Sequence, residues 1–131
     1  MISKRRISVQ DTDSTGVIYF NNILKFGAEA YEEWISENNM GVRKLIEEFP
    51  FLTPIVHTES NILLPLRVDD EIEIELKLGA KGRSSYQIHS KLNLAGKEAA
   101  NTLIVYVVVD KKLNKSIEIP DQLNKLLDHL V

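Results

Sequence analysis

Cysteine is absent from this chain of 131 residues, which excludes disulfides, thiolate zinc sites and a cysteine nucleophile. An excess of positive charge is absent too. The formal net charge is −3, so no basic field favours nucleic acid, and the run Lys4-Arg5-Arg6 is too short to create one. No apolar stretch approaches the ~18 residues needed to span a bilayer. The opening residues MISKRRISVQ lack the apolar segment of a secretory signal. These absences lead to the expectation of a cytoplasmic protein. No internal repeat, low-complexity segment or linker interrupts the chain. What is present, 44% hydrophobic and 27% charged residues, is the composition of an ordinary globule. Its length fits one domain over residues 1–131 with its own core.

Apolar periodicity organises the rest. Arg5 to Val9 reads as a short first strand. Ile23, Phe26, Ala30 and Trp34 recur at helical spacing, so residues 22–38 read as a helix, with Asn22 as its N-cap and Asn38, Asn39 and Gly41 at its end. Residues 42–49 read as a short second helix stopped by Pro50. Residues 55–64 are β-branched enough for a strand. Residues 71–78 alternate Ile72, Ile74, Leu76 and Leu78 with Glu71, Glu73, Glu75 and Lys77. Residues 84–94 alternate again after a loop with two glycines at 79–83. A hairpin between these strands would set Ile74 against Ile88, Glu73 against His89 and Glu71 against Lys91. The run Leu103 to Val109 is apolar throughout, as in a central strand buried on both faces. Residues 121–130 read as a closing helix after Pro120. The order predicts an α+β fold: a five-stranded antiparallel sheet wrapped around one long central helix.

The chemistry concentrates in Gln10 to Asn22, QDTDSTGVIYFNN. Two carboxylates sit two residues apart, then a glycine, then an apolar run that opens the long helix. This spacing can set one carboxylate at a helix N-terminus, beside free N–H groups and partial positive charge. That arrangement suits hydrolysis of an activated carbonyl compound. Asp11 reads as structural, tying the loop to the sheet or capping a turn. For Asp13 the bland reading is a turn residue that satisfies backbone N–H groups. Gly16 reads as a site of close approach or of positive φ.

The stretch DTDSTGVIYFNNILKF resembles the signature of hotdog-fold acyl-CoA thioesterases of the 4-hydroxybenzoyl-CoA type, and HTESNILLPLRVDDEIEIEL resembles that family's next two strands. Gln10 to Asp13, Val17 to Phe20 and Glu29 to Glu32 look closest to the 1,4-dihydroxy-2-naphthoyl-CoA hydrolases of phylloquinone and menaquinone synthesis. Many family members carry a tyrosine where Ile23 stands. The resemblance implies that Asp13 is the catalytic carboxylate, acting as a base for water or as a nucleophile. It implies that the Phe20 backbone N–H is the oxyanion donor. Gly16, Val17, Tyr19 and Asn22 flank that amide as substrate-binding residues. His57, at a strand start, counts as pocket-lining. Coenzyme A contacts fall on Lys81, Arg83, Ser84 and Ser85. The expected partners are an acyl-CoA and further copies of the chain, in a dimer or a dimer of dimers with the site between subunits, and neither nucleic acid nor membrane. No metal or other cofactor is implied, because coenzyme A enters with the substrate.

Other readings compete. Asp11, Asp13, Thr15 and Gly16 match an EF-hand loop at its first, third, fifth and sixth positions, but Asn22 stands where a bidentate glutamate is needed. A serine hydrolase would need a G-x-S-x-G elbow, which the sequence lacks. A dehydratase of the same fold would use His57 with Glu59. A general short-chain acyl-CoA or acyl-carrier-protein thioesterase is a further alternative. So is a module that binds an acyl-CoA without cleaving it, although a desolvated carboxylate beside a thioester gains a pure binder little.

Overall fold

A computed structural model describes residues 1–130. The elements run β1 (Ile2–Arg6), a single 3₁₀ turn (Val9–Asp11), α1 (Asn21–Glu37), α2 (Val42–Glu47), β2 (Phe51–Leu52), β3 (Ile55–Ile62), β4 (Glu71–Lys81), β5 (Ser85–Leu94), β6 (Lys97–Val107), β7 (Val109–Asp110) and α3 (Asp121–Asp128). Five strands form one antiparallel sheet in the order β1-β4-β5-β6-β3. The two-residue strands β2 and β7 make a small second ladder, which alternation could not reveal.

The sheet forms where hydrophobic alternation has period two, and α1 packs on β3, β4, β5 and β6. Its buried stripe is Ile23, Phe26, Gly27, Ala30, Tyr31, Trp34 and Ile35, the three-and-four spacing of one helix face. Ile72, Ile74 and Leu76 of β4 and Tyr86, Ile88 and Leu92 of β5 meet it from below. Gly27 sits where helix and sheet approach closest. A Cβ there would lie 2.6 Å from Thr102 Oγ1 and 3.0 Å from Ser90 Oγ, so no larger residue fits without displacement. The Tyr31 and Tyr86 hydroxyls are 2.7 Å apart in the core. Burial raises both phenols, Tyr86 to about 12, so each stays protonated and able to donate.

Several expectations are corrected. β1 lies earlier, at Ile2–Arg6, because the residues after Ile7 close a 3₁₀ turn through Asp11. α1 starts at Asn21 with Phe20 as N-cap; Asn22 is not the cap, since its side chain is used elsewhere. β4 runs on through Gly79 to Lys81, which delays the turn and slides every partner along β5. Ile74 therefore faces Leu92, Glu75 faces Lys91 and Lys77 faces His89. The slide is an even number of residues, so the apolar side chains keep the core face. β6 is buried on one face only: Ala100, Thr102, Ile104 and Tyr106 are buried while Asn101, Leu103, Val105 and Val107 are half-exposed. The helix layer covers a single side of the sheet, so an apolar run does not guarantee two covered faces.

Two features of this frame position the site. The edge strand β3 has all eight of its residues exposed. The loop before α1 is stitched to the segment between β3 and β4 by Ile18 N–H to Leu66 O at 2.7 Å and Val68 N–H to Gly16 O at 3.1 Å.

Candidate active site

The loop from Asp11 to Tyr19 closes on itself. Thr12 and Ile18 form an antiparallel bridge, Asp13 N–H donates to Val17 O at 2.9 Å, and Gly16 N–H donates to Asp13 O at 3.1 Å. Gly16 makes the reversal at φ +77 with open space around its missing Cβ, so positive φ and not close approach is the reason for glycine. The loop delivers the chain to the tip of α1. Tyr19 N–H is committed to Asp11 O at 2.9 Å. Among the described residues, Phe20 N–H and Asn21 N–H make no loop or cap hydrogen bond to the backbone, so the tip presents unclaimed donors and the positive end of the helix dipole. The Phe20 ring is 59% exposed and lies against the Tyr19 ring, with centroids 4.8 Å apart.

Asp13 projects from this loop into solvent. Its Oδ1 accepts Thr15 N–H at 2.7 Å and the Thr15 hydroxyl. These bonds hold the carboxyl below its ordinary value of 3.8, the Thr15 hydroxyl contributing most. In the single chain the pKa is therefore lowered by hydrogen bonding, not raised by burial. Thr15→Val removes the hydroxyl and keeps the backbone donor. It moves the Asp13 pKa up toward 3.8, a shift read by an NMR pH titration of the carboxyl carbon. The acid limb of kcat/KM, which reports the free enzyme, moves up with it.

Asp11 faces the opposite way and is buried at 5% exposure. Its Oδ2 accepts Ser8 N–H at 2.9 Å and the Ser8 hydroxyl at 3.0 Å, and its Oδ1 lies 3.4 Å from Arg5. With Asp11 so committed and a strand in place of an entering helix, the loop is not built as an EF-hand. Arg5 also pairs with Glu29 of α1 and lies 3.9 Å over the Phe26 ring. Asn22, expected to bind substrate, instead donates its side-chain amide to Asp11 O at 2.8 Å. Sequence reading passed over Arg5 because it stands in a short basic run. Its place opposite Ile72, on the helix-facing side of β1, comes from the pairing with β4, and no local signal carries it.

The remaining expected residues lie elsewhere in the chain. Val17 takes part through its backbone, bridging to Arg67. His57 pairs with Glu59 at 2.9 Å on an exposed face of β3. It stands at the strand's start, about 17 Å from the Ile62 end that leads toward the loop, so it does not line a pocket with Asp13 of the same chain. Lys81, Arg83, Ser84 and Ser85 form the β4–β5 turn, about 30 Å along β4 from the end beside the loop. Lys81 is paired with Asp128. The turn is pinned by Val108 N–H to Ser84 O and Ile119 N–H to Arg83 O, each 2.8 Å.

At that far end lies an apolar cleft of ≈ 630 Å³, not foreseen from the sequence. Tyr31, Ile35, Val42, Leu45, Ile55 and Tyr106 are among its walls. Tyr106 stacks on Tyr86 with ring centroids 5.2 Å apart. The volume falls within the range of small-molecule sites. Tyr31 lies about 15 Å along α1 from Asn21. One chain therefore carries a carboxylate with free amides at one end and an apolar cleft with a polar, partly basic turn at the other.

Known proteins resemble this chain in sequence and in fold. A 1,4-dihydroxy-2-naphthoyl-CoA hydrolase of Nostoc punctiforme is 29% identical over 124 residues, spanning 95% of this chain and 84% of that one. The corresponding protein of Microcystis aeruginosa is 28% identical, over 97% of this chain and 92% of that one. The crystal structure of a 1,4-dihydroxy-2-naphthoyl-CoA thioesterase from Synechocystis superposes with a TM-score of 0.91 at 23% identity, covering 98% of this chain and 96% of that one. This last likeness establishes the shared hotdog architecture. The family profile described as thioesterase-like superfamily matches residues 7–127, so the chain belongs to the thioesterase-like superfamily.

Proposed function

We propose that this protein hydrolyses acyl-CoA thioesters, with an aromatic acyl group such as 1,4-dihydroxy-2-naphthoyl as its substrate. What supports the reading is the Asp13 carboxylate in the loop that leads into α1, whose tip has unclaimed amides, in a chain similar to naphthoyl-CoA hydrolases over nearly its whole length. The Phe20 N–H receives the developing oxyanion, an interaction whose removal typically costs ~10²–10³-fold in rate. The low pKa keeps the carboxylate ionised but weakens it alike as a base and as a nucleophile. Of these two routes, direct attack proceeds in two steps. An Asp13 oxygen bonds to the thioester carbon, the carbon–sulfur bond breaks, and the thiolate leaves to be protonated by water. Water then opens the mixed anhydride, releasing the acid and restoring Asp13. No separate cofactor enters these steps.

A thioester and its aromatic acyl group cannot bridge the two ends of one chain. Two copies can solve this. β3 is an edge strand with unpaired backbone groups. Its Ile62 end leads to the Asp13 loop and its Ile55 end to the cleft. Antiparallel pairing of β3 with the same strand of a second copy, about a two-fold axis, sets the loop of one chain beside the cleft and basic turn of the other. The cleft then seats the acyl group, and Arg83, Ser84 and Ser85 face the phosphate-bearing part of coenzyme A. The working unit is thus a dimer, or a dimer of dimers, in the cytoplasm.

A thiol-release assay over aryl and short-chain acyl-CoA thioesters tests the activity, and aryl thioesters are expected to react fastest. Subunit mixing tests the shared site. Asp13→Asn and a cleft-filling Tyr106→Trp chain are each nearly inactive. After unfolding and refolding together, half of the dimers are mixed and each has one intact site, so about a quarter of parental activity returns. No recovery, with mixed dimers demonstrated by mass spectrometry, would place the whole site in one chain.

A further inference from the structure

We propose that Arg5, Asp11 and Asn22 form a positioning unit that fixes the Asp13 carboxylate relative to the tip of α1. The proposal rests on the hydrolytic reading above and adds residues that do not touch the substrate.

Three elements meet at Asp11. Its carboxylate is anchored to β1 through Arg5 and to the 3₁₀ turn through Ser8. Arg5 is itself tied to α1 by Glu29 and by the Phe26 ring. The Asp11 carbonyl accepts two donors from the start of α1, Tyr19 N–H at 2.9 Å and the Asn22 amide at 2.8 Å. The segment carrying Asp13 leaves from Asp11 and returns to the same carbonyl at Tyr19, one residue before the free amide of Phe20. The distance between carboxylate and amide is therefore set by this latch. Asp13 has no tertiary side-chain anchor of its own among the described residues: its hydrogen bonds are local, to Thr15. A displacement of about 1 Å at a reacting group can cost ~10²-fold in rate, so a side chain that holds the loop's closing end governs turnover without contacting the thioester.

Asn22→Asp isolates the effect. It is isosteric, and the helix dipole favours an acidic residue in the first turn, but a carboxylate cannot donate to the Asp11 carbonyl and repels it. The expected result is a kcat lowered roughly 10–100-fold with KM unchanged and Tm preserved. Asn22→Ala lowers kcat in the same way. Hydrogen exchange at the Tyr19 amide, read without substrate, speeds up in both variants. Leu127→Ala, a buried residue of α3, serves as a control that lowers Tm and keeps kcat. Parental kcat in Asn22→Asp overturns the proposal. A rise in KM without a fall in kcat also overturns it, since that marks a substrate contact. Failure of the hydrolytic reading is separate: it is seen as no thiol release by the parent protein from any acyl-CoA thioester, and failure of the Asp13 assignment as undiminished turnover in Asp13→Asn.

Discussion

Asp13→Asn lowers kcat by ~10²–10⁴-fold, the usual contribution of a positioned acid–base or nucleophilic group, and leaves Tm where it was. The two halves of this result come from the same geometry. Asp13 is exposed and its Oδ1 accepts from Thr15, and asparagine keeps an acceptor oxygen at that place. Surface changes of this kind stay within about ±0.5 kcal/mol. What the amide cannot do is attack a thioester carbon or take a proton from water. Thiol release under saturating aryl-CoA, paired with a thermal melt, measures both. Turnover within a factor of two of the parent would sink the proposed role of Asp13. A large fall in Tm would show instead that the carboxylate acts as a structural turn residue, the bland reading open to any aspartate in a tight loop.

Phe26→Ala destabilises the protein by ~3–5 kcal/mol, the range for truncating a buried aromatic side chain. Phe26 is fully buried at 0% exposure on the sheet-facing side of α1, so its removal leaves a cavity between the two layers. It also removes the ring beneath the Arg5 guanidinium, 3.9 Å away. Against a total stability of ~5–15 kcal/mol for a domain, the loss is large. A lower midpoint with an unchanged m-value in urea unfolding is the signature of lost packing. A loss under ~1 kcal/mol would mean that neighbours collapse into the space. Because Arg5 belongs to the Asp11 latch, kcat of the folded fraction should fall as well.

Much of the fold is legible where hydrophobic spacing is unambiguous. The apolar stripe of α1 gives the helix, and the alternation of β4 and β5 gives the strands and their core faces. The pairing partners are not legible, because Gly79 reads locally as a turn residue while in the sheet it lets β4 pass close to His89: a Cβ there would lie 2.6 Å from the ring. The one-sided burial of Leu103, Val105 and Val107 is hidden for a related reason. A strand's sequence reports its own hydrophobicity and not whether a second layer covers it.

The same division runs through the candidate site. The D-x-D spacing, Gly16 and the start of a long helix are local, and local sequence is enough to put a carboxylate in the tight loop that leads into a helix. Asn22 shows the limit. Asparagine ahead of an apolar stripe reads as a cap, but its amide has a nearer acceptor in the Asp11 carbonyl, brought there by chain reversal through the loop.

The amino-acid sequence by itself determined the family, the helix and the main strands, because each depends on neighbours within a few turns of chain. Only the tertiary structure decided that Arg5 and Asn22 serve the loop and that an apolar cleft opens beside Tyr106. It also placed the cleft and the Lys81–Ser85 turn at the end of the chain opposite Asp13. Those facts depend on contacts between residues far apart in sequence, and on which faces the packed layers leave uncovered.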